Sequence, residues 1–228
     1  MSRRTVYFPH NVLLFAVLLV ILVLVAGLIL LGTSAAFRDV GFSPAMTALI
    51  LVATFVGGFI NIPVLKLRNT VPVIKEEFVS FFGVVYRIPR MEYGETTTLV
   101  AVNAGGALIP SFVSVYLLWK QPSVALYAIV GILVVALVTH LIARPVKGVG
   151  ITAPFLVSPI VAAISAYILF PSAPRIIAYV AGVLGTLIGA DLTNLHVVPK
   201  LGAPVVSIGG AGTFDGVFLS GIIAVLLA

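Results

Sequence analysis

Long apolar segments most restrict how this chain can fold. A membrane-spanning helix needs about 20 mainly apolar residues. Segments of roughly this length cover residues 11–32, 45–63, 96–118, 122–143, 151–170, 174–195 and 213–228. Since 61% of the 228 residues are hydrophobic and 9% are charged, little chain remains for a soluble domain. The sequence therefore predicts an all-α, polytopic transmembrane bundle of about seven helices, forming a single domain over residues 1–228.

The first apolar segment follows Arg3 and Arg4, as the core of a signal peptide would. It exceeds the usual 7–15 apolar residues of such a peptide, so we expect a retained helix. With a cytoplasmic N-terminus, three of the 13 Lys and Arg residues fall on the outer side: Arg38, Lys120 and Arg175. The positive-inside rule then predicts a cell-membrane protein with its N-terminus in the cytoplasm and its C-terminus outside.

The scattered basic residues also bear on partners. They form no continuous stripe, so we expect the lipid bilayer and no nucleic acid as a partner. The loop of residues 64–95 contains VVYRIPRMEYGE, whose alternation predicts a short strand or hairpin at the membrane surface between helices 2 and 3. An interfacial anchor of Tyr and Arg is preferred here to a catalytic element.

Two carboxylates lie inside apolar segments, Asp191 near the cytoplasmic end of helix 6 and Asp215 near the start of helix 7. The other acidic residues are in loops or at a helix end: Asp39, Glu76, Glu77, Glu92 and Glu95. An ionised carboxylate at bilayer depth costs at least about 2.5–3.5 kcal/mol and usually marks a functional site. The alternative for Asp215 is stabilisation by the dipole of a helix start.

Glycine patterns accompany both aspartates. Gly182, Gly185 and Gly189 form a small-residue stripe in helix 6, while Asp191 projects about half a turn from Gly189, so helix 6 is expected to be the most enclosed helix. Further glycines precede helix 7 and interrupt helix 3: Gly209, Gly210, Gly212 and Gly216, and Gly105 and Gly106 after Asn103. Two such segments side by side would form a cavity, and simple tight packing is the equal alternative.

Other polar residues of the same leaflet are expected to support the site: Asn103, His140, Asn194 and His196. Histidine and carboxylate could hold zinc or iron. However, Asp191 and His196 are five residues apart and do not share a helical face, so interfacial histidines are preferred and neither metal nor cofactor is expected.

GADLTNL, SIGGAGTFDGVFLSGIIAVLLA and VNAGGALIPS resemble a family of prokaryotic multi-pass membrane proteins known only as a domain of unknown function, over most of the chain. There is also a remote resemblance to the diaspartyl intramembrane proteases of the presenilin, signal peptide peptidase and prepilin peptidase group. FDGVF around Asp215 is similar to their Tyr-Asp motif, and IGAD ending at Asp191 to their Gly-x-Gly-Asp, in reversed order. This resemblance implies that the two aspartates are a catalytic pair.

Two close carboxylates share a proton, so that one activates water and the other protonates a carbonyl group. The sequence thus predicts an intramembrane hydrolase, an aspartic protease that cuts a membrane peptide with Asp191 and Asp215. The alternative is a proton- or cation-coupled transporter of a small molecule, in which the same pair lies beside glycine-broken helices. A third class is a noncatalytic scaffold that binds a membrane partner through its glycine stripes.

Overall fold

The computed structural model describes residues 10–81, 84–148, 150–210 and 216–228. Its α-helices are α1 His10–Asp39, α2 Pro44–Gly57, α3 Ile109–Lys120, α4 Ala125–Ile142, α5 Val157–Leu169, α6 Pro174–Val180 and α7 Gly216–Leu227. Its strands are β1 Asn61–Phe81, β2 Val84–Asn103, β3 Arg144–Val146, β4 Gly150–Thr152 and β5 Val205–Ile208. Helices and strands thus occur in one chain, with the strands in the connections between helices.

Two helices contain π turns, which are wider than α-helical turns. Ala104–Leu108 is a π turn that leads into α3. Beyond α6 the helix continues through the π turns Ala181–Gly185 and Leu187–Asp191 and ends in the 3₁₀ turn Leu192–Asn194. Because π turns occur frequently at functional sites, both segments are of interest for function.

The longest strands form a hairpin that we call the arm, residues 61–103. β1 and β2 pair antiparallel from Asn61 with Asn103 to Phe81 with Val84. β5 adds in parallel to the last residues of β2, giving the order β1-β2-β5, and β3 and β4 form a separate small hairpin. At about 3.3 Å per residue the arm is roughly 65 Å long. Its base is buried, with Val100 only 1% exposed, whereas most described side chains farther along are exposed.

The predicted all-α bundle of seven membrane-spanning helices is wrong. Residues 61–103 are paired strands, and residues 96–103, expected to begin a helix, belong to β2. TTTLVAV is apolar and rich in β-branched residues, which pack well in a strand, so hydropathy alone could not separate the two structures. The predicted strand pairing within residues 64–95 is present, but it extends much farther than a short surface hairpin.

Helix length also departs from the prediction. Within the described ranges two helices are long and apolar enough to cross a membrane, Pro122–Ile142 and Pro174–Asn194. Shorter apolar helical stretches are Leu14–Val25, Pro44–Gly57, Ala104–Lys120, Val157–Leu169 and Gly216–Leu227. The predicted segment 151–170 is divided because it begins in β4 and only its later part is helix α5.

The long helix that contains α6 is the centre of the fold, as expected for helix 6. Of the 18 most apolar consecutive residues of this helix 72% are buried, against 22% for the helix that contains α4. Its glycines allow the neighbours to approach: a Cβ on Gly185 would lie 2.6 Å from Val135 Cβ of α4, and one on Gly182 would lie 3.0 Å from Ser220 O of α7. The predicted glycine stripe therefore packs against two helices.

α4 presents an apolar stripe on its outer side. Its large exposed residues recur every three or four positions and are 51–74% exposed: Leu126, Ile129, Leu133, Leu137 and Leu141. A soluble monomer rarely exposes a continuous apolar surface of this kind. This surface is compatible with contact with lipid.

Candidate functional site

Asp191 joins the end of the long central helix to the loop after β5. It is the last residue of the second π turn and is partly buried. Its Oδ2 accepts a hydrogen bond of 2.7 Å from the backbone N–H of Gly209. Gly209 and Gly210 have positive φ angles of 79° and 83°, a conformation that favours glycine. The carboxylate is thus bound to a turn whose backbone conformation few residues other than glycine adopt.

A cavity of about 280 Å³ lies beside Asp191. All four residues of β5 line it together with Gly150 and Ile151 of β4, while Leu195 and Val198 contribute apolar surface. Asp191 supplies the carboxylate of this cavity, and Ser207 and Gly210 lie at the same wall. The cavity is therefore a slot between two strands with one acidic group.

β5 is an edge strand of the sheet β1-β2-β5. In a parallel ladder each residue bonds to two positions that flank its partner. Leu99 N donates to Pro204 O, and Leu99 is paired with Val205, so Val206 and Ile208 use their N–H groups toward β2. Val205 and Ser207 consequently turn their N–H groups away from β2, and both residues line the cavity. The edge of β5 that does not pair with β2 and the carboxylate of Asp191 therefore belong to residues around the same space.

The two glycine-rich segments meet next to this site. A Cβ added to Gly209 would lie 2.6 Å from Ala107 Cβ and 2.7 Å from Ala107 N, so the loop after β5 packs closely on the π turn Ala104–Leu108. The two segments are thus packed tightly, which is the alternative to a cavity between them, and no residue of Ala104–Leu108 lines the cavity at Asp191. Gly212 lies outside the described residues.

Asn103 is a positioning residue at the junction of the arm and the π turn. Its Nδ2 donates to Gly58 O at 2.7 Å and to Asn61 Oδ1 at 3.1 Å, and its Oδ1 accepts from Gly106 N at 2.7 Å. Ser207 Oγ donates to the same Asn61 Oδ1 at 2.5 Å. Asn103 therefore connects α2, the arm and the π turn, and through Asn61 it is linked to β5.

Replacing Asn103 by alanine is expected to destabilise the fold. The side chain is fully buried, and its loss would leave Gly58 O and Gly106 N without this partner. A buried polar group without a partner costs about 1–3 kcal/mol. The measurement is thermal unfolding in detergent, with Thr70→Ala, a change of an exposed polar residue on the arm, as the control. An unchanged midpoint for Asn103→Ala would contradict the assigned role.

The other predicted supporting residues secure the end of the central helix. Asn194 Nδ2 donates to the carbonyl oxygens of Gly189 at 3.1 Å and Ala190 at 2.9 Å. His140 Nδ1 is 2.9 Å from Thr193 Oγ1, and Thr193 donates its hydroxyl proton to Gly189 O at 2.8 Å. The contact between His140 and Thr193 ties α4 to the turn beside Asp191.

His196 is farther from the helix interior. Its ring is exposed, and its Nδ1 is 3.1 Å from Thr193 O. Among the residues that the structure describes, no group of three or more His, Asp or Glu side chains could hold a metal ion. The histidines thus have roles in hydrogen bonding at the helix ends.

The second predicted carboxylate, Asp215, lies outside the described residues. The central helix, which precedes Asp215 in the sequence, and α7, which follows it, are nevertheless neighbours in space. Thr186 Oγ1 donates to Ser220 Oγ at 3.1 Å, and a Cβ on Gly221 would meet the ring of Tyr179 at 3.2 Å. Along this contact the residue numbers fall on the central helix while they rise on α7. The expected antiparallel arrangement of the two helices is therefore confirmed.

Sequence analysis missed the contribution of β5 and of small hydroxyl side chains. VVSI after Pro204 carries no strand signal in the sequence, because four residues are too few for a clear alternation. Thr186, Thr193 and Ser220 lie inside or just beyond apolar helices, where such residues often bond neighbouring helices. The presence of these hydroxyl residues in apolar segments was visible in the sequence, but it does not show which group each hydroxyl bonds.

Comparison with known proteins gives one family. A family described as Protein of unknown function (DUF1614) matches residues 55–227. No curated protein and no solved structure matches the chain. The matched region contains the arm, the cavity and the long central helix, and it begins after α1.

Proposed function

We propose that this chain, which belongs to the DUF1614 family, functions as a membrane-embedded aspartic peptidase. Asp191 and Asp215 share a proton at the cytoplasmic edge of the membrane and hydrolyse a peptide bond of a membrane peptide. The observation that carries this proposal is the hydrogen bond between Thr186 and Ser220.

This bond joins two neighbouring antiparallel helices. Asp191 follows Thr186 by five residues, and Asp215 precedes Ser220 by five residues in the sequence. This equal spacing in the sequence from one contact between neighbouring antiparallel helices supports the pairing of the two carboxylates.

A shared proton divides the work between the carboxyl groups. The ionised group takes a proton from water, whose oxygen attacks the peptide carbonyl, while the protonated group donates to the carbonyl oxygen. In the tetrahedral intermediate the carboxyl group that took the water proton then gives it to the nitrogen, and the C–N bond breaks to release the amine. The other carboxylate takes a hydroxyl proton as the C=O bond re-forms, which restores the shared proton. Water reaches the pair from the cytoplasmic side through the cavity, whose volume of about 280 Å³ holds several water molecules.

The slot beside β5 supports a peptide as the substrate. The N–H groups of Val205 and Ser207 turn away from β2, and an extended peptide can add to such an edge through main-chain hydrogen bonds. Gly150 opposite has no side chain to fill the slot, and a Cβ there would lie 4.0 Å from Val206 Cγ1. A peptide held along β5 would have its backbone near Asp191.

Val205→Pro tests the use of this edge. Proline removes the Val205 N–H, which the ladder with β2 does not use. Loss of one main-chain hydrogen bond is expected to raise KM about fivefold to tenfold. Initial cleavage rates over a range of peptide concentrations measure the effect, and Val205→Ala, which retains the N–H, is the matched control. Equal KM values for the two variants would contradict peptide binding along β5.

The charge distribution supports a cytoplasmic location for the site. The end of the bundle that carries the strands, here called the strand end, holds eight of the 13 Lys and Arg residues: Lys66, Arg68, Lys75, Arg87, Arg90, Arg144, Lys147 and Lys200. Arg38, Lys120 and Arg175 belong to the opposite end, where Lys120 Nζ donates to Gly41 O at 3.1 Å. By the positive-inside rule the strand end faces the cytoplasm, and the N-terminus lies on that side of a multi-pass cell-membrane protein.

A proton-coupled transporter is the second candidate function. The observation that favours it is the irregular end of the central helix, where π turns lead to Asp191 beside a glycine turn. Transporters bind substrates and coupling ions at such interrupted helices. In this case Asp191 would carry a proton and the cavity would take a small molecule.

One experiment separates the two functions. Purified wild-type protein in vesicles is incubated with a library of membrane peptides, and new termini are sought by mass spectrometry. The peptidase proposal expects new termini that are absent from empty vesicles. The transporter expects no cleavage but a pH-dependent flux of small solutes into the same vesicles. Flux of solutes in the absence of new peptide termini would overturn the peptidase proposal.

A further inference from the structure

A second cavity lies at the strand end, outside the site at Asp191. Its volume is about 590 Å³, and it lies between the end of α4 and the segment that leads into α5. Leu141, Ile142, Arg144, Thr152, Ala153 and Pro154 line it. None of these residues lines the cavity at Asp191, so the two spaces are separate.

Arg144 is the charged group of this second cavity. It follows α4 almost directly and is exposed. Thr152 Oγ1 donates to Arg144 O at 3.2 Å, which fixes the backbone of Arg144 across the β3–β4 hairpin. Among the described residues, Arg144 forms no ion pair. Lys147 in the same hairpin is also exposed, so this surface carries two positive charges.

The apolar side of the cavity continues along a membrane helix. Leu141 is 74% exposed, and Leu137 and Leu133 precede it on the same stripe of α4. The helix that contains α4 is long and apolar enough to cross a membrane. A ligand of this cavity therefore meets a cation at the membrane surface and an apolar strip that leads into the bilayer.

We propose that this cavity binds the phosphate headgroup of an anionic membrane lipid. The Arg144 guanidinium pairs with phosphate oxygens through two parallel N–H donors, and Lys147 adds a positive charge. The acyl chains lie along the exposed stripe of α4. Basic pockets next to transmembrane helices on the cytoplasmic side bind anionic headgroups by the same combination of charge and apolar contact.

Lipid binding to detergent-purified protein tests this proposal independently of any peptidase activity. Short-chain phosphatidylglycerol is titrated against wild type, Arg144→Gln and Arg38→Gln, and bound lipid is counted by native mass spectrometry. Phosphatidylglycerol is expected to bind wild type and Arg38→Gln equally, and Arg144→Gln about tenfold more weakly. Arg38 is the matched control because it is an exposed arginine at the opposite end.

Two further ligands identify what is recognised. Phosphatidylcholine, which carries no net charge, is expected to bind wild type more weakly than phosphatidylglycerol. Inorganic phosphate is expected not to displace phosphatidylglycerol at equal concentration, because it lacks acyl chains. Displacement by phosphate would show that the cavity binds free anions and would overturn the proposal that it binds a lipid. Equal binding of phosphatidylglycerol by Arg144→Gln and wild type, in properly folded protein as judged by thermal unfolding, would also overturn the proposal.

Discussion

Asp191→Asn is expected to lower kcat for cleavage of a membrane peptide by about 10²–10⁴-fold, the usual contribution of a general acid or base. The change removes the ionisable group but keeps the shape of the side chain. Its amide oxygen can still accept the hydrogen bond from Gly209 N, now 2.7 Å from Oδ2, so the fold is expected to persist. Cleavage rates of a fluorogenic peptide in vesicles, with thermal unfolding of the same samples, measure both effects.

The second aspartate and an exposed acid complete this experiment. Asp215→Asn is expected to lose activity to a similar degree, since each carboxyl group has its own role in a shared-proton mechanism. Glu77→Gln is the control for removal of a negative charge, because Glu77 is exposed on the arm and pairs with Arg90 at 3.0 Å. It should cleave at the wild-type rate. Full activity in both aspartate variants would refute the proposed catalytic pair.

The central helix is the element that the sequence predicted best. Helix 174–195 has a long apolar run and a glycine stripe, and both signals are local. Packing of Gly182 and Gly185 against α7 and α4 follows from small residues at the helix interface. The direction of each side chain was less predictable from the sequence, because a regular α-helix turns 100° per residue and the π turns Ala181–Gly185 and Leu187–Asp191 change that angle.

The arm could not be predicted at its true length. β1 contains Pro63 and Pro72 and several charges, features that argue against a long regular strand. Its extent depends on pairing with β2 over about 20 residues, which a local pattern does not reveal. Residues 96–103 presented the opposite difficulty, since their apolar composition resembles the start of a membrane helix.

The candidate site was predictable only in its side chains. Asp191 was identified because a carboxylate inside an apolar segment is costly. Asn103 and Asn194 were expected to support the site, and the structure assigns both to backbone hydrogen bonds at helix ends. The contribution of Val205 and Ser207 depends on which side of β5 faces β2, and this is fixed by pairing between residues about 100 positions apart.

Gly209→Ala is expected to cause the largest loss of stability among the single changes considered. Gly209 has a φ of +79°, so a side chain would add backbone strain of about 1–3 kcal/mol. Its new Cβ would also lie 2.6 Å from Ala107 Cβ and 2.7 Å from Ala107 N, which forces the loop and the π turn apart. Overpacking typically costs a further 1–3 kcal/mol or so.

Gly202→Ala separates these two effects. Gly202 has a similar φ of +68°, but a Cβ there would meet nothing within 4 Å. It should therefore show the backbone strain alone, while Gly209→Ala shows strain and steric conflict together. Thermal unfolding of both variants in the same detergent is the measurement. Because Gly209 N also donates to Asp191, displacement of the loop should reduce peptide cleavage in Gly209→Ala but not in Gly202→Ala. Equal midpoints and equal cleavage in the two variants would show that the contact between the loop and the π turn contributes neither to stability nor to the site.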